Sequence, residues 1–345
     1  MLKIYKYFQI AIERKASDLH LKAGSPPVIR VGGRLIPLAE PPLAYQEMPN
    51  LFLPLMDVKS QTDLKQTFEA NFMAKYKNRW RVRVCIYMQR GCLSGAFRFI
   101  PLDIPSIDNL GLPPILKEIA LKPRGLFLVT GPANSGKTHT LASIVNEINR
   151  STSRHVLTIE DPIEFVYKEK KSIFTQREIG VTSSSYQSAL MNALREDPDV
   201  ILVGEMRDLE TIEMVLTAAE TGHLVFSTLH TVGAVQTIDR IVNMFPGHRH
   251  DEIRTQLSMS LIGLISQILL PCIHKKERAM AYELMILNSA MRNMIRERKS
   301  NQLKSALMLA RKEGCTTLKD SLGEILKDER VDPKLVSNIM KEIVE

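Results

Sequence analysis

The sequence predicts an α/β protein: a small α+β domain followed by a P-loop domain built on a parallel sheet. Three observations predict it. Gly131-Pro132-Ala133-Asn134-Ser135-Gly136-Lys137-Thr138 fits the pattern G-x-x-x-x-G-K-[ST], with an apolar strand at 126–129 before it and a helical segment at 139–149 after it. Beyond about residue 114, strand-like and helix-like segments alternate, the mark of a parallel sheet flanked by helices. Before residue 100, short period-two segments separated by glycines indicate hairpins.

The elements follow in order. Residues 1–15 place Ile4, Tyr7, Phe8, Ala11 and Ile12 at helical spacing. Residues 17–22 alternate like a half-buried strand, and 28–31 with 34–38 bracket Gly32-Gly33 as a hairpin. A second β-rich stretch covers 80–87 and 94–100, joined through Gly91. Pro101, Pro105, Gly111, Pro113 and Pro114 then mark a boundary. The expected division is a domain at 1–100, a linker at 101–113 and an ATPase-type domain at 114–345. In the last, strands fall at 126–130, 155–159, 200–203 and 224–227, with a helix near 185–195. From about residue 251 the chain reads as almost all helix, and the apolar run 257–270 reads as a buried helix too short and polar to span a bilayer. Gly314 suits a C-cap, Thr317 with Asp320 a capping box, and Asp332-Pro333 a helix start.

Composition bounds the function class. The 345 residues are 44% hydrophobic and 24% charged, ordinary for a globular protein. The net charge of +8 admits nucleic acid or an anionic membrane surface as partner, but the cations are spread along the chain with no basic block, so charge alone decides nothing. No nucleic-acid partner is expected, because the segments 16–21 and 290–297 argue against a nucleic-acid translocase. Cys85, Cys92, Cys272 and Cys315 form no C-x-x-C pair, so no zinc site is expected. The absence of a signal-like N-terminus suggests a cytoplasmic protein.

The chemistry centres on the loop 131–138. Its glycines let backbone N–H groups close around an oligophosphate at a helix N-terminus. Lys137 would reach the β/γ-phosphates of ATP, and the Thr138 hydroxyl would ligate Mg²⁺. The apolar strand 200–203 ends at Gly204-Glu205, where P-loop ATPases place a carboxylate near Mg²⁺, directly or through water, and near the attacking water. Glu160, Asp161 and Glu164 follow another strand, where they can position water or hold Mg²⁺ through water; a solvated acidic turn is the plainer alternative. His223 and His230 flank the strand 224–227. His230 can sense the γ-phosphate by hydrogen bonding, and a satisfied core histidine is the alternative for either. Arg79, Arg81 and Arg83 alternate with Trp80, Val82 and Val84, which puts three guanidinium groups on one strand face, with Arg98 on the next strand. Such residues act across subunits as arginine fingers in ring ATPases; on spacing alone, a charge-protected edge strand is favoured.

Together these motifs resemble the secretion ATPase superfamily, and most specifically the PilT-type retraction ATPases of type IV pili. The resemblance runs through 16–21, 26–30, 158–164, 197–208, 221–231, 237–241 and 290–297. It implies a PAS-like N-terminal domain, a RecA-like C-terminal domain and a homohexamer with nucleotide bound between domains. ATP hydrolysis would drive an inner-membrane platform protein, so that pilin leaves the fibre, with the ATPase peripheral at that membrane. Extension and secretion ATPases usually carry a four-cysteine zinc element, and this chain has none. Ala133-Asn134 stands where the family usually has Thr-Gly. Thr182, Met259, Ile262 and Cys85 also depart from its pattern. These departures keep open a second reading, an accessory paralogue that hydrolyses weakly and modulates another ring.

Overall fold

A computed structural model describes residues 2–273 and 278–344. They form two compact units, 2–103 and 104–344 without the undescribed stretch.

The first unit is one sheet with helices on it. Strands β1 (Asp18–Lys22), β2 (Val28–Val31), β3 (Arg34–Pro37), β4 (Glu69–Tyr76), β5 (Trp80–Gln89) and β6 (Cys92–Pro101) lie in the order β3-β2-β1-β6-β5-β4. Every neighbouring pair is antiparallel. The β2–β3 turn uses Gly32 (φ 57°) and Gly33 (φ 85°), a left-handed pair that suits a two-residue hairpin. The helix Ile4–Glu13 buries Ile4, Tyr7, Phe8 and Ala11. Phe8 is the hub: its ring lies 5.9 Å from Tyr5, 5.5 Å from Tyr76, 5.3 Å from Phe97 and 5.4 Å from Phe99. The helix Val58–Thr67 and the edge strand β4 have no clear period in the sequence, and neither was expected.

The second unit carries strands β7 (Gly125–Thr130), β8 (His155–Glu160), β9 (Ile173–Glu178), β10 (Val200–Val203), β11 (Leu224–Leu229), β12 (Leu261–Pro271) and β13 (Arg278–Ile286). Their order is β13-β12-β7-β11-β10-β8-β9. All neighbours are parallel except β12 and β13. Alternation splits the strands between two cores. Leu126 and Leu128 of β7 face the helices Leu209–Glu220 and Ala234–Asn243, through Val215 and Ile238 among others. Phe127 and Val129 face the helix Lys137–Ser151 through Leu141 and Ile144. This is the RecA-like arrangement, and it lines up the C-terminal ends of β7, β8, β10 and β11 along one edge.

Three expectations need correction. The helix His250–Ser260 stops and β12 begins, so the run 257–270 is not one buried helix and the chain after 251 is not almost all helix. β12 lies inside the sheet with both faces covered, so its residues read as a largely apolar run, interrupted only by Ser266-Gln267, without strand periodicity. The linker expected at 101–113 is also more than a linker, because Ile107 and Leu112 are buried in the second unit's core. Arg79 precedes β5, so period two places only Arg81 and Arg83 on its half-buried face, while Val82 and Val84 are buried. The C-terminal caps are as expected: Gly314 has φ 91°, Thr317 Oγ1 accepts from Asp320 N at 3.1 Å, and Asp332 Oδ1 accepts from Lys334 N at 2.9 Å.

Phe8→Ala should destabilise the first unit by ~3–5 kcal/mol, the usual range for deleting a buried aromatic ring. The chain's single tryptophan, Trp80, packs at the edge of this core and reports its unfolding by fluorescence in urea. A loss below ~1 kcal/mol would mean that the ring cluster is not what holds the helix to the sheet.

Candidate active site

The loop after β7 folds as the phosphate motif demands. Gly131 has φ 138°, and a Cβ there would lie 2.2 Å from Gln267 O and 2.8 Å from Ser135 Oγ. Gly136 has φ 90°, where an L side chain is strained. Asn134, the unusual interior residue, takes a left-handed φ of 64°, which Asn tolerates better than most residues. Gly131, Ser135 and Lys137 are buried, while Pro132, Ala133 and Asn134 are exposed; Gly136 and Thr138 are intermediate. Thr138 lies in the first turn of the helix Lys137–Ser151.

Lys137 Nζ donates to Gly131 O at 2.8 Å and Pro132 O at 3.0 Å, and lies 3.4 Å from His230 Nδ1. Burial lowers its pKa, and Glu205 opposes that shift. His230 Nε2 lies 3.0 Å from Glu205 Oε1. An ammonium only donates, so the tautomer that completes both contacts is the one in which His230 Nδ1 accepts and Nε2–H faces Glu205. Arg207 Nε donates to the other oxygen, Glu205 Oε2, at 2.9 Å. The P-loop lysine, the histidine after β11 and the glutamate after β10 are thus one hydrogen-bonded chain.

Gly204, where related motifs carry Asp, has a local reason. A Cβ there would lie 3.3 Å from both Ile159 O and Tyr186 Oη and 3.4 Å from Glu160 Cα. Tyr186 enters the site beside Asp161, Glu205 and Glu160; burial above all holds its phenol well above the usual range.

The acidic turn divides in two. Glu160, at the end of β8, is buried and accepts from Thr158 Oγ1 at 2.8 Å and Gln176 Nε2 at 3.4 Å. Burial, with smaller repulsion from Glu164, raises its pKa to about 7. Glu164 is half-buried and close enough to Glu160 to feel its charge. His223 is not at this edge. Its Nδ1 lies 2.9 Å from Ala218 O, at the end of the helix Leu209–Glu220.

The arginines belong to the first unit. Arg83 and Arg98 are cross-strand partners, and Arg81 lies two residues along β5. Arg98 Nε donates to Asp18 Oδ1 at 2.9 Å, and Arg30 Nε lies 3.8 Å from Asp18 Oδ2.

Several site residues escaped the sequence reading. Gln267 Nε2 donates to Ser135 O at 2.7 Å, and Gln267 Oε1 accepts from Thr140 Oγ1 at 2.9 Å. Arg278 Nη1 donates to Asn134 O at 2.9 Å. Ser266 Oγ accepts from Gly233 N at 2.9 Å and Glu283 Oε1 from Ala234 N at 2.7 Å, which pins the segment after His230. All four stand on β12 or β13, far from any motif. The one available signal was a Ser-Gln pair inside an apolar run.

The family described as type II/IV secretion system protein matches residues 3–331. The chain belongs to this family. The type IV pilus retraction ATPase PilT of Pseudomonas aeruginosa is 44% identical over 92% of this chain and 92% of its own. The type IV pilus ATPase PilU of the same organism is 33% identical over 94% of this chain and 85% of its own. A solved structure of the pilus retraction motor PilT with bound ADP matches with a TM-score of 0.87 at 44% identity, covering 97% of this chain and 96% of that one. The X-ray structure of the Legionella pneumophila ATPase DotB matches with a TM-score of 0.87 at 27% identity, covering 98% of this chain and 95% of that one. In this family member the altered residues Ala133 and Asn134 sit on the exposed tip of the loop.

Glu160 gives a pH test. Its carboxyl ionises near 4.5 in the unfolded chain and near 7 in the folded one, so between those values the folded chain keeps a proton that the unfolded chain loses. Stability therefore falls as pH rises through that window, by up to ~3 kcal/mol, and levels above it. Glu160→Gln mimics the protonated form and should remove this contribution. Urea unfolding at pH 5, 6, 7 and 8 reads the difference between variant and parent. A difference that does not change with pH would show that Glu160 does not titrate in this window.

Proposed function

We propose that this protein is an ATP-hydrolysing motor of type IV pilus retraction. The observation that carries the reading is the chain Lys137–His230–Glu205, which joins the phosphate loop to the carboxylate after β10. The likeness to a retraction motor solved with bound ADP supports it.

The site fits a nucleoside triphosphate. Gly131 and Gly136 form a cradle in which a Cβ at Gly131 would clash. The buried Ser135 Oγ has no hydrogen-bond partner among the described residues. A phosphate oxygen would take Lys137 Nζ from the carbonyls that it now holds. Thr138 and Glu205 supply the hard oxygen ligands that Mg²⁺ prefers, directly or through water. When bound, Mg²⁺ neutralises charge developing on the transferring phosphate. Glu164 orients or deprotonates the attacking water. Glu160, turned towards Thr158 and Gln176, holds the acidic turn in place. His230 relays the state of the γ-phosphate to Glu205.

We further propose a cytoplasmic homohexamer, peripheral to the inner membrane, that acts on a platform protein and through it on pilin. Arg81 or Arg98 would act on the bound nucleotide from a neighbouring subunit. The accessory reading, a paralogue that hydrolyses weakly and modulates another ring, draws on the altered loop interior Ala133-Asn134. Turnover of the purified ring discriminates the two.

Lys137→Ala should abolish hydrolysis and weaken ATP binding, because the phosphates lose their point charge. Glu205→Gln should keep affinity and cut turnover by about tenfold or more. Parental turnover in Lys137→Ala would sink the reading.

The ring has its own test. Arg81→Ala or Arg98→Ala should depress ATPase activity. Mixing either variant with Lys137→Ala subunits should restore some activity, since one pairing then joins an intact loop to an intact arginine. No recovery at any ratio, with subunit exchange confirmed, would place the arginines' action within their own chain.

A further inference from the structure

We propose that Gln267 is a positioning residue for nucleotide binding: its side-chain amide sets the shape of the phosphate loop from the neighbouring strand. The inference rests on the P-loop reading above and adds a residue outside every motif.

The geometry begins with the sheet. β12 runs parallel to β7, and their register ends at Ser266 opposite Thr130. Gln267 is the next residue, so it stands beside Gly131, where β7 gives way to the loop. Alternation sends Ser266 and Gln267 to opposite faces. Ser266 meets Gly233 on one face, and Gln267 meets the loop and the helix Lys137–Ser151 on the other.

Gln267 makes three contacts there. Its Nε2 donates to Ser135 O at 2.7 Å. Its Oε1 accepts from Thr140 Oγ1 at 2.9 Å. Its backbone carbonyl fills the space that a Cβ on Gly131 would need, at 2.2 Å. Gln267 is 1% exposed, Ser135 2% and Thr140 2%, so none of these groups has water as an alternative partner.

A phosphate loop works by turning N–H groups inward, which leaves its carbonyls pointing away from the ligand. The Ser135 carbonyl is buried, and an unpaired buried acceptor is costly. The amide satisfies it and ties it to the first turns of the following helix. Glutamine suits the place because one planar group donates to the loop and accepts from the helix. A serine or asparagine on β12 would be shorter, and a glutamate would present no donor when ionised. On this proposal Gln267 shapes the backbone of the loop and touches none of the reacting groups, so its loss should act on ground-state and transition-state binding alike.

The test uses the full-length protein, Mg-ADP binding and steady-state ATP hydrolysis. Gln267→Leu keeps bulk and removes both side-chain bonds. It should raise the Kd for Mg-ADP and the KM for ATP about tenfold or more, with kcat within about threefold of the parent. Thr140→Val keeps shape and removes one bond, and should shift Kd in the same direction by less. It serves also if Gln267→Leu does not fold. Gln267→Glu should bind poorly at pH 8, where the carboxylate faces the Ser135 carbonyl. It should regain affinity relative to the parent at pH 6, as the buried carboxyl takes a proton and can donate again. Ile265→Ala, on the same strand and face, is the packing control and should leave KM within about twofold while lowering Tm.

The proposal is overturned if Gln267→Leu, or Thr140→Val in its place, binds Mg-ADP as the parent does. It is equally overturned if Ile265→Ala raises KM as much as Gln267→Leu, or if Gln267→Glu shows no recovery at low pH. Lys137→Ala separates this inference from its premise. Unchanged Mg-ADP affinity in that variant would refute the P-loop reading itself, whereas loss there with none in Gln267→Leu would refute only the role of Gln267.

Discussion

A phosphate-binding loop that turns its N–H groups inward must find partners for its carbonyls, and most of the second unit follows from that constraint. Lys137 takes the carbonyls of Gly131 and Pro132. Gln267 takes that of Ser135, and Arg278 that of Asn134. Three side chains, two of them more than 130 residues away in the chain from the carbonyls that they bind, thereby fix one turn. Without β12 beside β7, two of these donors would have no platform. The hairpin β12–β13 therefore braces the loop rather than merely extending the sheet. It also holds the segment after His230 through Ser266 and Glu283, so one hairpin touches both sides of the site.

The path Lys137–His230–Glu205 adds a second order of connection. Each member follows the end of a different strand, and the strands β7, β11 and β10 are consecutive in the sheet. A phosphate that draws the ammonium away from the loop carbonyls changes what His230 Nδ1 accepts from. On the proposed reading, His230 links that change to the carboxylate of Glu205, 3.0 Å from its Nε2. Arg207 and Tyr186 limit where Glu205 can go, and Gly204 lets the tyrosine hydroxyl come close to the β10 end.

How much of this the sequence discloses depends on whether a residue's neighbours lie near it in the chain. The phosphate loop, the strands β7, β8, β10 and β11 and the C-terminal caps are local patterns, and they were legible residue by residue. β12 was not, because a strand covered on both faces has no polar alternation, and Ile262, Leu264 and Ile265 suit a buried helix as well as a strand. Gln267 was hidden for the same reason: its partners Ser135 and Thr140 are adjacent only once β12 pairs with β7. His223 and His230 looked alike as flanks of one strand, yet only the fold separates a helix-end contact from a member of the site. The arginine stripe was partly legible. Period two identified Arg81 and Arg83, but the ion pair of Arg98 with Asp18 needed the sheet order.

The contrast between the loop's buried root and its exposed tip has a consequence for inheritance. Gly131 and Ser135 are packed in, whereas Pro132, Ala133 and Asn134 face outward. Arg278 holds Asn134 through its backbone carbonyl, a contact indifferent to the side chain. Mutation at the tip is therefore filtered mainly by backbone conformation, and mutation at the root by volume. Descendants can rewrite the middle of the motif while retaining its grip, so a tip spelled Ala-Asn instead of Thr-Gly is a mark of lineage before it is a mark of lost activity.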